Sequence, residues 1–136
     1  MRVLRLGKGT WGEVVAVEEA PGRCPTLDGI EGTSGEFAML ALLRNTVPQS
    51  GPQYDNRILC KPLKGCDGLW EFRKQTRGAK TRAVFFEDEG RLVVCLTSFT
   101  KTDETPPREL KRALRLRLEY LEAKRSGRLV TVSVED

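Results

Sequence analysis

Three strand-like segments, joined by links too short for a crossover, constrain this 136-residue chain more than any other feature. They are Leu69–Arg73, Thr81–Glu87 and Arg91–Phe99, each rich in β-branched or aromatic residues. The links Thr76–Lys80 and Asp88–Gly90 each carry a glycine. Parallel neighbours need a connection of roughly a dozen residues, so links of this length dictate antiparallel hairpins and a three-strand meander. A meander has two faces, and the rest of the chain must cover whichever of them is apolar.

Cover is legible on both sides of it. Downstream, Thr105-Pro106-Pro107 predicts a helix start with Thr105 as N-cap and proline in the first turn. The helix runs from Pro106 to Lys124, with Gly127 as its stop. Leu110, Ala113, Leu114, Leu118 and Leu121 share one face, widened by Leu116 and Tyr120, and are expected on the sheet. Arg108, Lys111, Arg112 and Arg115 share the opposite face and are expected in solvent. Upstream, Glu36–Asn45 predicts a short, well-buried helix capped by Ser34, its circumference apolar at Phe37, Met39, Leu40, Leu42 and Leu43. Pro48 to Pro52 is expected to break it. Met1–Leu6 and Glu13–Glu18 read as strands around a glycine turn that lacks phosphate-loop spacing, and Arg128–Val134 reads as a last strand. Pro21–Gly35 reads as a loop with one helical turn near Leu27–Ile30. The fold class expected is α+β: a small, mostly antiparallel sheet packed by one or two N-terminal-side helices and a C-terminal helix.

Charge is unevenly placed. Residues 1–56 hold 5 Lys+Arg against 7 Asp+Glu, residues 57–128 hold 18 against 10, and the whole chain carries +4. That asymmetry is the footprint of a surface for a polyanion, RNA foremost; the bland alternative is a solvated basic surface. There is no histidine, which removes Ser-His-Asp and Cys-His catalysis and histidine-ligated metal. Cys24, Cys60, Cys66 and Cys95 form no CxxC pair. They are expected as reduced, small apolar side chains, with neither metal nor cofactor. No apolar run reaches the ~18 residues of a membrane span. The first residues lack an apolar signal core, so a cytoplasmic protein without a membrane partner is expected.

Leu63-Lys-Gly-Cys-Asp-Gly-Leu-Trp-Glu-Phe-Arg73, then Lys80-Thr-Arg82-Ala-Val-Phe-Phe, then Phe99-Thr-Lys101 and Thr105-Pro-Pro-Arg-Glu-Leu110 form an ordered set. It resembles the RelE/HigB superfamily of toxin proteins and, within it, the phage-derived, HigB-like branch. The resemblance covers Gly51 to Leu121. It implies a single RelE/HigB-like domain over residues 1–136, with 1–50 a divergent N-terminal elaboration, and a RelE-like fold. It implies the toxin of a type II toxin–antitoxin pair, an endoribonuclease that cuts mRNA free or on the ribosome. A co-encoded antitoxin, often a helix-turn-helix protein, would silence it. The best-studied RelE toxins carry two lysines on the strand where Leu69 and Glu71 stand here. Thr102 follows Lys101 where several relatives have tyrosine or histidine.

Physical chemistry points to the same residues. When a 2′-hydroxyl attacks the adjacent phosphate, negative charge gathers on the phosphoryl oxygens, and preorganised cations stabilise it. Arg73 and Arg82 on neighbouring strands, with Lys101 at the end of the third, are expected to converge as catalytic groups, with Glu71 as general base. Lys61, Lys64, Arg77 and Lys80 are the expected RNA-binding cations, each also readable as a solvated charge. Arg73 is also readable as the ion-pair partner of Glu87, and Trp70 and Phe72 as core. Two other functions fit the sequence: a non-catalytic RNA- or protein-binding member of the toxin fold, and a phage-derived structural protein. Val130, Val132 and Val134 offer a strand to which a protein partner can add its own.

Overall fold

The computed structural model describes residues 1–100 and 104–134. Its strands are β1 (Arg2–Lys8), β2 (Glu13–Val17), β3 (Cys60–Pro62), β4 (Trp70–Thr76), β5 (Ala79–Asp88), β6 (Leu92–Thr100) and β7 (Val130–Ser133). Its helices are α1 (Pro25–Ile30), α2 (Glu36–Ala41), α3 (Val47–Ser50) and α4 (Pro107–Arg125). The strands form one sheet in the order β3-β4-β5-β6-β2-β1-β7. The meander β4-β5-β6 is antiparallel as expected. The first link shrinks to Arg77-Gly78, whose φ angles of 51° and 80° are both positive. That is the signature of a type I′ turn, whose twist matches that of the strands it joins. β3 adds antiparallel to β4, β2 adds parallel to β6, and β7 adds parallel to β1. The class is α+β, a mostly antiparallel sheet packed by helices, consistent with a RelE-like fold.

Strand alternation sends side chains to two cores. On one face Phe72, Ala83, Phe85 and Cys95 pack with Ile30, Met39, Leu42 and Leu43 from the N-terminal-side helices. The Phe72 and Phe85 rings stack there with centroids 4.0 Å apart. On the other face Val84, Phe86, Val94 and Leu96 pack with Ala113, Leu116 and Tyr120 of α4. A bulge opposes Val84 to Thr97 and Phe85 to Cys95. Leu96 and Thr97 therefore both turn towards α4, where the Thr97 hydroxyl donates to Glu109 at 2.7 Å.

Several expectations are corrected. The buried stripe of α4 is Glu109, Ala113, Leu116, Tyr120 and Ala123; Leu118 and Leu121 lie 69% and 41% exposed. The helix carries leucine on two faces. The face that docks has alanines at 113 and 123, which allow close approach, and Tyr120, which meets Phe86 edge-on at 5.5 Å and donates to Asp88 at 2.7 Å. Thr105 does not cap α4: the cap position is Pro106, and the Thr105 hydroxyl turns to Glu71. Ser34 does not cap α2, which follows Gly35. Phe37 is 86% exposed, because the inward positions of that helix fall to Met39, Leu42 and Leu43. Pro48 does not end the helical path. A π-helical turn over Leu42–Thr46 bridges α2 to α3, whose first turn accepts the proline. Arg108, Lys111 and Arg115 are exposed as expected, whereas Arg112 is partly buried, and both Arg112 and Arg115 pair with Glu19, in the segment after β2. The segment 21–35 forms the short helix α1 where a helical turn was expected, and Gly127, at φ 70°, stops α4.

Candidate functional site

Arg73 on β4 and Arg82 on β5 are direct register partners, and Glu71 precedes Arg73 by two residues on the same face. Alternation forces this arrangement: Phe72 goes into the opposite core, so its neighbours must turn towards the α4 side. Arg82 is 5% exposed and Glu71 3%. Arg82 Nη1 donates to Glu71 Oε1 at 3.2 Å, and Arg73 Nε lies 3.5 Å from the same oxygen. The Thr105 hydroxyl donates to Oε2 at 3.3 Å. Glu71 is therefore the hub joining two guanidinium groups to the segment that leads into α4. Arg82 Nε is buried without a hydrogen-bond partner among the described residues.

Beside this cluster runs a groove of about 490 Å³, lined by Arg57, Ile58, Leu59, Arg73, Lys74, Gln75 and Lys80. It exists because β3 is short: it pairs only with Trp70–Phe72, so beyond Phe72 the edge of β4 facing away from β5 has no strand beside it among the described residues. The Arg73 amide donates to Leu59 O at 2.8 Å, which ties down the near wall. Both faces of β4 reach the groove at that edge, so consecutive residues Arg73 and Lys74 both line it. Among the described residues no carboxylate lines it. Arg57 lies 5.8 Å from the Trp70 ring centroid, a cation–π contact. Ile58 is 83% exposed on the groove wall.

Of the residues singled out by sequence, Arg73 and Lys80 line the groove, while Arg82 and Glu71 form the buried cluster beside it. Arg77 sits exposed in the β4–β5 turn. Lys61 is exposed on β3 and Lys64 in the loop after it, neither of them lining the groove. Lys101 lies outside the described residues. Arg73 pairs with Glu71 rather than Glu87, which instead accepts from the Tyr54 hydroxyl at 2.7 Å. Burial and that carboxylate push the Tyr54 hydroxyl well above its ordinary pKa. Phe72 is core as expected, and Trp70 is partly buried against it. Arg57 and Lys74 are groove residues the sequence did not announce. Lys74 had a signal, its place beside Arg73 on an edge strand; Arg57, in a loop, had none. Cys24, Cys60 and Cys95 are free and buried. Burial pushes the Cys24 thiol up to about 11 and the Cys60 thiol up to about 12, so neither is a nucleophile at neutral pH.

The groove thus gathers four cations, Arg57, Arg73, Lys74 and Lys80, with no carboxylate among its described lining residues, and one of them, Arg73, is anchored by the buried Glu71. Residues 37–118 match the sequence model of a family described as Phage derived protein Gp49-like (DUF891). The chain belongs to this Gp49-like family. Gp49-like proteins are associated with RelE-like toxins of toxin–antitoxin pairs, an association that brings an antitoxin partner with it. The match includes the whole groove and the Glu71 cluster, and leaves β1, β2 and β7 outside. No curated protein matches the chain significantly. No described helix is long and apolar enough to cross a membrane.

Proposed function

We propose that this Gp49-like protein is the toxin of a type II toxin–antitoxin pair, an endoribonuclease of HigB-like type that cleaves mRNA without a metal ion. The acid-free cationic groove at the β4 edge, with Arg73 anchored in it, is the observation that carries the reading. Lys74, Lys80 and Arg57 hold successive phosphates, and Arg77, Lys61 and Lys64 extend the track outward. The 2′-oxygen of one nucleotide attacks its own 3′-phosphorus, and its proton passes to Glu71. The P–O5′ bond breaks, the leaving 5′-oxygen takes a proton from water, and Glu71 returns its proton to solvent. The products are a 2′,3′-cyclic phosphate and a 5′-hydroxyl. Arg73 forks on the non-bridging oxygens as they gain charge. Arg82, buried behind Glu71, positions that carboxylate and through it Arg73; Lys101 is assigned to the site by its place in the sequence. Residues 1–50, whose strands lie across β6 from the groove, are an elaboration of the toxin fold. An antitoxin, most simply a helix-turn-helix protein, silences the cationic face.

A second reading has its own observation. Arg82 and Glu71 are buried and paired with each other, which suits a structural ion pair in a protein that holds RNA without cutting it. Induction of the protein alone separates the two. The enzyme arrests growth and shortens messenger RNAs. Normal growth with intact messages, at confirmed soluble expression, would remove the enzyme reading.

A further inference from the structure

The open edge of β4 carries free peptide groups as well as cations. The Arg73 N–H donates to Leu59 O and so points away from β5. Strand period then turns the N–H and C=O of Gln75 the same way. The hairpin agrees independently: next to a two-residue turn the flanking pair, Thr76 with Ala79, bonds across the ladder, and the following pair, Gln75 with Lys80, faces outward. The Leu59 N–H, which would continue the pairing to Arg73 O, donates to Asn56 instead. The Arg73 C=O and the Gln75 N–H and C=O therefore stand without a partner among the described residues, in a groove also lined by Arg57, Lys74 and Lys80. Ile58, largely exposed, stands on the wall beside them.

This stretch is too short for a protein strand. Only Arg73 to Thr76 lie between the end of the β3 pairing and the turn at Arg77, so an added strand would find its ladder bonds at Arg73 O and Gln75 alone. A nucleobase fits it. On its Watson–Crick edge every base sets a donor beside an acceptor, the complement of a peptide C=O and N–H, and that edge is free only when the base is unpaired. We propose, resting on the reading of the groove as an RNA site, that the open edge of β4 holds one unpaired base. The Arg73 C=O accepts from its edge, the Gln75 N–H donates to it, Ile58 covers one of its faces, and the cations hold the phosphates on either side. Because every base offers this pattern, the edge selects single strands over duplexes rather than one base over another.

Gln75→Pro is the decisive variant, since proline deletes the outward N–H and is tolerated on an edge strand where that N–H bonds nothing. Gln75→Ala removes the side chain and keeps the N–H. The probes are a short dye-labelled single-stranded RNA, 2′-O-methylated so that it cannot be cleaved, and inorganic polyphosphate, which has charge and no base. Anisotropy should show the single strand binding the parent more tightly than the same RNA annealed to its complement. Gln75→Pro should weaken the single strand about tenfold with the salt slope unchanged, and calorimetry should show polyphosphate binding unaltered. Gln75→Ala should leave both unchanged. Circular dichroism checks the fold, and amide exchange on the unaltered chain gives a second reading: RNA should protect the Gln75 N–H and polyphosphate should not. If Lys74→Ala weakens RNA binding while Gln75→Pro and the Gln75 exchange show no effect, the RNA groove stands and the base contact is overturned. If the parent binds no single-stranded RNA at low salt, both fall. An acidic peptide whose binding Gln75→Pro weakens, with RNA binding intact, would assign the edge to a protein strand instead.

Discussion

Arg77→Asn should make the protein more stable and worse at holding RNA. Arg77 and Gly78 form the two-residue turn between β4 and β5, with φ values of 51° and 80°. A left-handed conformation costs an ordinary L-residue roughly 1–2 kcal/mol, a penalty that asparagine largely escapes. Arg77 makes no ion pair with any described residue to offset that cost. Asparagine should therefore add about 1 kcal/mol of stability, or about 4 °C in melting temperature for a chain of this size. The guanidinium is exposed at the tip of the groove-forming hairpin, so its loss should weaken RNA binding. The slope of log affinity against log salt should fall by about 0.7 for each single-strand phosphate contact removed. Thermal unfolding followed by circular dichroism, and filter binding of a single-stranded RNA at several salt concentrations, read the two effects. A variant no more stable than the parent would refute the strain argument. A stabilised variant with unchanged affinity and salt slope would show that the turn arginine does not touch RNA.

The buried pair gives a second expectation. Arg82→Ala leaves Glu71 with only Arg73 and Thr105, and should lower stability by about 3 kcal/mol, measured by urea unfolding; a loss under 1 kcal/mol would mean the pair is solvated. Glu19 gives a pH dependence: hydrogen bonding from Arg112, with Arg115 beside it, holds its carboxyl down at about 2. A depressed carboxylate stabilises above its unfolded pKa and loses that effect as pH falls through the folded value. Glu19→Gln should therefore cost about 1 kcal/mol at pH 7. The gap to the parent should close between roughly pH 4 and pH 2; a gap that persists at pH 2 would contradict the assignment.

The sheet was legible where local rules decide it. Short glycine links fixed β4-β5-β6, and alternation placed Arg73 opposite Arg82. The α4 docking face was not legible, because both of its sides carry leucines and the docking stripe includes Glu109, a carboxylate whose burial depends on the Thr97 hydroxyl across the sheet and on Arg112 one turn along the helix. Phe37 misled for the opposite reason: apolar character marks a core candidate, but three better-placed neighbours filled the core first. The groove depends on where β3 stops pairing, a tertiary fact with no local signal, which is why Arg57 escaped notice. The hub at Glu71 was half visible. Its spacing to Arg73 is plain in the sequence, whereas the Thr105 contact requires knowing that the segment before α4 returns to β4.

Cleavage of a defined single-stranded RNA in EDTA tests the central claim most directly, with the product ends identified. Cleavage should survive EDTA and leave 2′,3′-cyclic phosphate ends. Arg73→Ala should lower the rate about 100- to 1000-fold, as expected for loss of a preorganised donor, and should reduce binding far less. Arg108→Ala, at an exposed site on α4, should change little. Products with 3′-hydroxyl ends that vanish in EDTA would contradict the account, as would equal losses of binding and cleavage in both variants.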